Sequence, residues 1–220
     1  MRAWNREMSE ATKEKPFSIF NEDGEIEAVP AEVDHFALLG VRRKFKLDAE
    51  TLEARFYELN RRLHPDFFMD APAAVRIRSL DATARINEAY QTLKDPIARV
   101  VYLVQLESGK LEENERTPPP ELFEEIFEAQ EAAEEFQCCV DEEEAENLRE
   151  RLNAAMGCFS ALRDGQHTAL DKLGAAWDEA VEKEEPAPPE VVRKMRSILG
   201  QRNYIENTLT SLKRALEESE

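Results

Sequence analysis

The residues of this sequence best equipped for chemistry stand together at His64-Pro65-Asp66. An imidazole and a carboxylate one residue apart offer a directional hydrogen bond and a negative charge matched to a partner's Arg. To act as an acid–base pair they would need a pocket and further converging groups. The sequence supplies neither. His35 and His167 stand alone, and there is no HExxH, Gly-rich phosphate loop or nucleophile elbow. The many glutamates lack the spacing of a calcium loop. Cys138, Cys139 and Cys158 have no CxxC spacing and read as reduced thiols rather than a zinc site or a disulfide. No metal and no cofactor is expected, and the chain is not expected to be an enzyme. The tripeptide reads instead as a stiff, exposed knuckle made for binding. With this composition it arises by chance in roughly one sequence in a hundred.

Such a knuckle needs rigid elements on both sides, and the hydrophobic spacing provides them. Asp48 suits the N-cap of a helix over Ala49–Leu63, along which Leu52, Phe56, Leu59 and Leu63 form one apolar stripe. Arg55 and Arg62 lie to one side of that stripe and Arg61 opposite it. Pro65 ends the helix, because it disfavours a helical residue before it and lacks a donor. A second long helix is expected from about Ala73 to Leu93, burying Ile86, Ala89, Tyr90 and Leu93, with Lys94-Asp95-Pro96 as its stop. The two helices make an antiparallel hairpin with the tripeptide in its loop. A short helix over Val33–Leu39, a basic connector over Gly40–Lys46 and a connecting helix over Ile97–Leu106 complete this segment. Residues 1–30 lack sustained periodicity and read as a flexible or loosely docked tail.

Charge divides the chain in two. Residues 31–109 hold 12 Lys/Arg against 12 Asp/Glu, whereas residues 110–220 hold 13 against 28. Surfaces so different suggest two domains with different partners. The overall net charge of −18 argues against a nucleic-acid backbone as one of them. Glu112–Pro120 is a polar, Pro-rich connector, and Thr117-Pro118-Pro119-Pro120 is a stiff start for the second half of the chain. Three helical patterns then run over about Glu121–Gln137, Glu142–Leu162 and Thr168–Glu184, and a fourth from Glu190 to about Glu217. This reads as a helical bundle, with some coiled-coil-like packing. No segment approaches the roughly 18 apolar residues that span a bilayer, and the first fifteen residues lack the apolar core of a secretory signal. A soluble, cytoplasmic protein without membrane contact is expected.

At the tripeptide the chain resembles the J-domain, and more narrowly the HscB family, the J-proteins of iron–sulfur cluster biogenesis. The resemblance is carried by Asp34-His35-Phe36-Ala37-Leu38-Leu39-Gly40, by Leu59-Asn60-Arg61-Arg62-Leu63-His64-Pro65-Asp66, and by the run from Ile86 to Pro96 followed by Arg99 and Tyr102-Leu103. It covers about residues 33–215, strongly to 106 and more loosely beyond. Phe67 stands where J-domains usually place a basic or polar residue, and residues 1–30 hold no cysteine for the N-terminal zinc knuckle that some members bear.

The resemblance implies an all-α, L-shaped protein, with a J-domain at about 31–109 and a C-terminal helical scaffold-binding domain at about 118–217. It implies a co-chaperone that stimulates an HscA/DnaK-type heat-shock ATPase and delivers to it an IscU-type iron–sulfur scaffold protein. His64, Pro65 and Asp66 would be the trigger, with Arg55, Arg61 and Arg62 meeting an acidic chaperone surface, assisted by Arg42, Arg43 and Lys44. The scaffold would meet Phe123, Glu124, Phe127, Glu128 and Glu131, with Leu122 and Ile126 turned to the bundle. Near Lys194-Met195-Arg196, where the family often places an aromatic anchor, this chain has Ser197. A general J-protein for other clients usually carries a Gly/Phe-rich linker and Cys-rich repeats, which are missing here. A helical adaptor without ATPase stimulation leaves the tripeptide unexplained.

Overall fold

The computed structural model describes residues 17–111 and 120–217. Residues 1–16 of the expected tail, and the connector with its Thr117-Pro118-Pro119 start, lie outside the described residues. The described chain is all-α, with seven α-helices, one 3-10 turn and no strand. It divides into two compact units: one takes in the chain up to Leu103 together with Trp177–Ala187, the other Val104–Ala176 and the chain from Pro188 onward.

The first unit is built on α1 (His35–Leu38), α2 (Ala49–Leu63), α3 (Ala73–Lys94) and the start of α4 (Pro96–Ser108). Asp34 caps α1 by accepting the Ala37 N–H at 2.8 Å, and Asp48 caps α2 by accepting the Thr51 N–H at 2.8 Å. Each satisfies a donor that the first helical turn leaves without an intrahelical partner. The expected stripes meet: Leu52 and Leu63 from α2 and Ile86, Ala89, Tyr90 and Leu93 from α3 are buried. Phe56 stacks on Tyr90 with ring centroids 4.0 Å apart, a geometry that adds about 0.5–1.5 kcal/mol beyond burial. Tyr102 of α4 stacks on His35 at 4.3 Å, and its hydroxyl accepts the His35 N–H at 3.1 Å. Burial holds the His35 imidazole below its ordinary pKa, against the opposing pull of Glu88 and Asp34. It lifts the Tyr102 phenol above its own.

Two segments add to this unit features that spacing did not announce. Residues 17–30, expected to be a tail, dock as a small loop closed by an antiparallel bridge between Phe20 and Ile26, with Ile19, Ile26 and Val29 buried. Its turn needs Gly24, whose φ of +80° suits a residue without a Cβ. The loop is tied to α3 through its own carbonyls: Arg78 donates to Ile26, and Arg85 to Val29 and Pro30 and, just beyond the loop, to Val33. Residues 177–187 are the second addition. Trp177 is buried and donates its indole N–H to the Arg43 carbonyl at 3.0 Å. Asp178 accepts the backbone N–H groups of Phe45 and Lys46 at 2.6 and 3.0 Å.

The second unit rests on α5 (Pro120–Cys138), most of α6 (Glu142–Glu182) and α7 (Pro189–Glu217). Its core joins Leu122, Ile126, Ala129, Ala133 and Phe136 of α5 to Leu148, Leu152 and Phe159 of α6 and Ile205 and Leu212 of α7. The expected pair of helices over Glu142–Leu162 and Thr168–Glu184 is corrected to the single α6. The chain between those two patterns stays helical through Gly165, since Gly inside a helix costs only about 1 kcal/mol relative to Ala and leaves the hydrogen-bond ladder intact. The Thr168 hydroxyl returns to the Asp164 carbonyl at 3.0 Å across that turn. Arg196 closes the end of α4, donating to the carbonyls of Ser108, Gly109 and Lys110. Cys138, Cys139 and Cys158 are unbridged. Among the described residues no helix is long and apolar enough to cross a membrane.

Candidate functional site

His64-Pro65-Asp66 leaves the C-terminus of α2 and enters a single 3-10 turn, Pro65–Phe68, before α3 begins. His64 takes φ −55° and ψ 127°, the extended conformation that a following Pro imposes. Its Nδ1 accepts the backbone N–H of Asp66 at 3.3 Å, and its carbonyl accepts that of Phe67 at 3.0 Å. Asp66 Oδ2 lies 3.4 Å from the same Nδ1, with three-quarters of its side chain exposed. The imidazole thereby braces the turn, and the carboxylate faces solvent.

The knuckle is anchored from behind. The carbonyl of Leu63 accepts from Ser79 Oγ at 2.7 Å and from Thr83 Oγ1 at 3.4 Å, both on the facing helix. Leu63 itself is buried. One turn earlier, Asn60 Nδ2 reaches Asn87 Oδ1 at 3.4 Å. The loop is an exposed turn on a fixed base.

The expected basic residues separate into two groups. Arg61 and Arg62 stand in the last turn of α2, exposed beside the knuckle. Arg62 lays its guanidinium over the ring of Phe20, 3.9 Å from the centroid. Arg55 lies two turns back and pairs with Glu58 at 3.3 Å. The three expected to assist are engaged within the unit. Arg42 donates to the Val181 carbonyl, Arg43 pairs with Asp34, and Lys44 pairs with Glu182 at 2.8 Å. Arg43 and Lys44 therefore meet carboxylates of their own chain.

Beside the knuckle lies a shallow apolar groove lined by Pro65, Met69, Ala73, Arg76, Ile77 and Leu80. Phe67, Met69, Ile77 and Leu80 are all exposed large hydrophobics. Sequence reading did not single out this surface. The signal was present, because Ile77 and Leu80 fall off the helical period that buries Ser79, Ala82, Ile86 and Ala89.

On α5 the two pairs of large hydrophobics fall on different faces. Leu122 and Ile126 are 8 and 7% exposed, whereas Phe123 and Phe127 are 60 and 58% exposed. Glu124, Glu128 and Glu131 are exposed as well and recur at helical spacing, so a carboxylate stripe runs beside the two rings. Ser197 is exposed on α7.

No protein-family model matches the chain. It is 30% identical over 186 residues to the Co-chaperone protein HscB homolog of Azoarcus sp. (strain BH72), covering 84% of this chain and 98% of that one. The homolog of the same name from Vibrio atlanticus (strain LGP32) is 31% identical over 176 residues, 79% of this chain and 95% of the other. Among solved structures, human co-chaperone protein HscB superimposes with a TM-score of 0.62 at 22% identity over 94% of this chain and 93% of its own. Chaperone HscB from Vibrio cholerae does so with 0.57 at 25% identity, over 86% of this chain and all of the other.

Proposed function

The chain belongs to the HscB family of co-chaperones, and on that premise we propose that it stimulates ATP hydrolysis by an HscA/DnaK-type heat-shock ATPase and delivers an IscU-type iron–sulfur scaffold protein to it. The observation that carries this reading is the knuckle: His64, Pro65 and Asp66 at the exposed tip of a helical hairpin, braced by the imidazole and pinned through Leu63. The work assigned to this chain is recognition, and the covalent chemistry is the partner's. Asp66 offers its exposed carboxylate to an Arg of the ATPase, a charge-assisted pairing that Asn cannot reproduce. Arg61 and Arg62 present cations to an acidic surface, with Arg55 two turns back. The neighbouring groove around Ile77 and Leu80 supplies apolar surface that keeps water from the contact.

Phe123 and Phe127 are assigned to the scaffold, with Glu124, Glu128 and Glu131 at their rim. Their support is exposure, since two large aromatic side chains on one helix face are costly to leave in water unless a partner covers them. The protein acts in the cytoplasm and carries no resident cofactor in this reading.

The test is single-turnover ATP hydrolysis by a purified HscA/DnaK-type ATPase with the full chain added. Wild type should accelerate hydrolysis, and Asp66→Asn should abolish the acceleration with an unchanged melting temperature, because an exposed loop carboxylate contributes little to folding. Equal acceleration by both proteins would refute the role of the knuckle. Capture of an IscU-type scaffold on the immobilised chain tests delivery separately; capture of unrelated unfolded proteins in its place would make this a general J-protein.

A further inference from the structure

The docked segment 17–30 meets the proposed chaperone face where Phe20 lies against Arg62. Phe20 lies under Arg62, with the guanidinium carbon 3.9 Å from the ring centroid. Arg62 remains exposed, two residues before His64. A guanidinium stacked by its face on an aromatic ring keeps its in-plane N–H groups free, and those are the groups that grip a carboxylate in bidentate fashion. An Arg side chain held in one plane also loses less freedom when it binds than one that swings.

The ring is held independently of Arg62. Ile19 and Ile26 are buried on either side of the turn, Glu27 N donates to the Ile19 carbonyl at 2.9 Å, and Asn21 Oδ1 accepts the Glu25 N–H at 2.8 Å. Arg78 and Arg85 tie the same segment to α3. Phe20 itself is only half-buried, so this framework does not depend on its side chain.

We infer that Phe20 is a positioning residue for the chaperone contact: the docked N-terminal loop orients Arg62 toward a carboxylate of the heat-shock ATPase and is part of the chaperone-binding face. This rests on the co-chaperone reading and extends its surface to a segment before the hairpin. It also separates the roles of the two neighbouring arginines, since among the described residues Arg61 stands over no aromatic ring.

The experiment titrates the full chain against a purified HscA/DnaK-type ATPase and reads the half-saturating concentration and the maximal rate separately. An exposed cation–π contact corresponds to about a two- to fivefold effect. Phe20→Leu, which keeps apolar bulk without a π face, should raise the half-saturating concentration by that factor and leave the maximal rate unchanged. Phe20→Trp should restore the wild-type value. In an Arg62→Ala background, Phe20→Leu should have no further effect. Wild-type half-saturation for Phe20→Leu, or an equal penalty with and without Arg62, overturns the positioning role while wild type still stimulates. No stimulation by wild type, or full stimulation by Asp66→Asn, overturns the co-chaperone reading itself and this inference with it.

Discussion

The hydroxyl of Ser79, buried on α3, donates a 2.7 Å hydrogen bond to the carbonyl of Leu63, the residue immediately before the His-Pro-Asp knuckle. Leu63 ends α2, and a helix leaves its last carbonyls without intrahelical partners. Ser79 therefore satisfies a buried acceptor and sets where the knuckle starts. Ser79→Ala should lower stability by about 1–2 kcal/mol, with only the longer Thr83 contact left to that carbonyl. It should also weaken ATPase stimulation more than its stability loss explains. Urea unfolding and the stimulation assay together check this, and unchanged values in both would show the bond to be idle.

Neighbouring residues on the two faces of α5 should respond differently to truncation. Phe127→Ala removes a ring that is 58% exposed, so melting should hold while scaffold affinity falls by about 1–3 kcal/mol. Ile126→Ala, at 7% exposure, should lower unfolding free energy by about 2–5 kcal/mol and affect scaffold binding only through that loss. Calorimetric titration beside thermal unfolding separates them. A Phe127→Ala protein that binds the scaffold at full affinity would remove that ring from the interface.

The pH dependence of stability has an identifiable contributor in His35. Burial lowers its folded-state pKa below the ordinary 6.5. As pH falls through 6.5 the unfolded chain takes up the proton first, so this contribution is complete above that value and is lost toward the lower folded pKa. Wild-type melting temperature should fall between pH 7.5 and about pH 5.5. His35→Phe keeps a ring to stack on Tyr102 and removes the titration, so its melting temperature should fall less over the same interval. Parallel curves for the two proteins would assign the acid sensitivity elsewhere.

Asp178 should matter to the basic connector that it clasps. Its carboxylate takes two backbone donors at once, and hydrogen bonds to charged groups contribute about 1.5–3 kcal/mol. Asp178→Ala should destabilise the first unit by an amount of that order and speed amide exchange at Phe45 and Lys46. Unaltered exchange at those two amides would show that the connector holds itself.

Legibility in the sequence divides by the range of the interaction. The hairpin, the Asp48 cap and the buried run Ile86, Ala89, Tyr90 and Leu93 come from local spacing, and all of them are observed. The two faces of α5 were half-legible. Leu122 and Ile126 repeat at four residues as Phe123 and Phe127 do, and only the partner helices decide which pair turns inward. Asp178 and Phe45 are 133 residues apart, beyond the reach of any periodic pattern. The docking of residues 17–30 left no periodic mark because much of its tie to α3 comes from arginine side chains reaching its carbonyls. The join of the two expected helices into α6 was not legible either, because the helical residues on both sides of Gly165 outweigh its weak local preference.

The clasp made by Trp177 and Asp178 also orders events during synthesis. The hairpin of α2 and α3 can form early, as soon as its own residues are available. The Arg43 carbonyl and the Phe45 and Lys46 amides must wait for partners that the ribosome makes more than a hundred residues later. At roughly 5–20 residues per second that interval is on the order of ten seconds. A nascent chain released before Trp177 would carry the His-Pro-Asp knuckle on an unfinished unit, with the basic connector still open. Synthesis of Trp177 and Asp178 is thus the step that turns an early helical hairpin into a finished first unit.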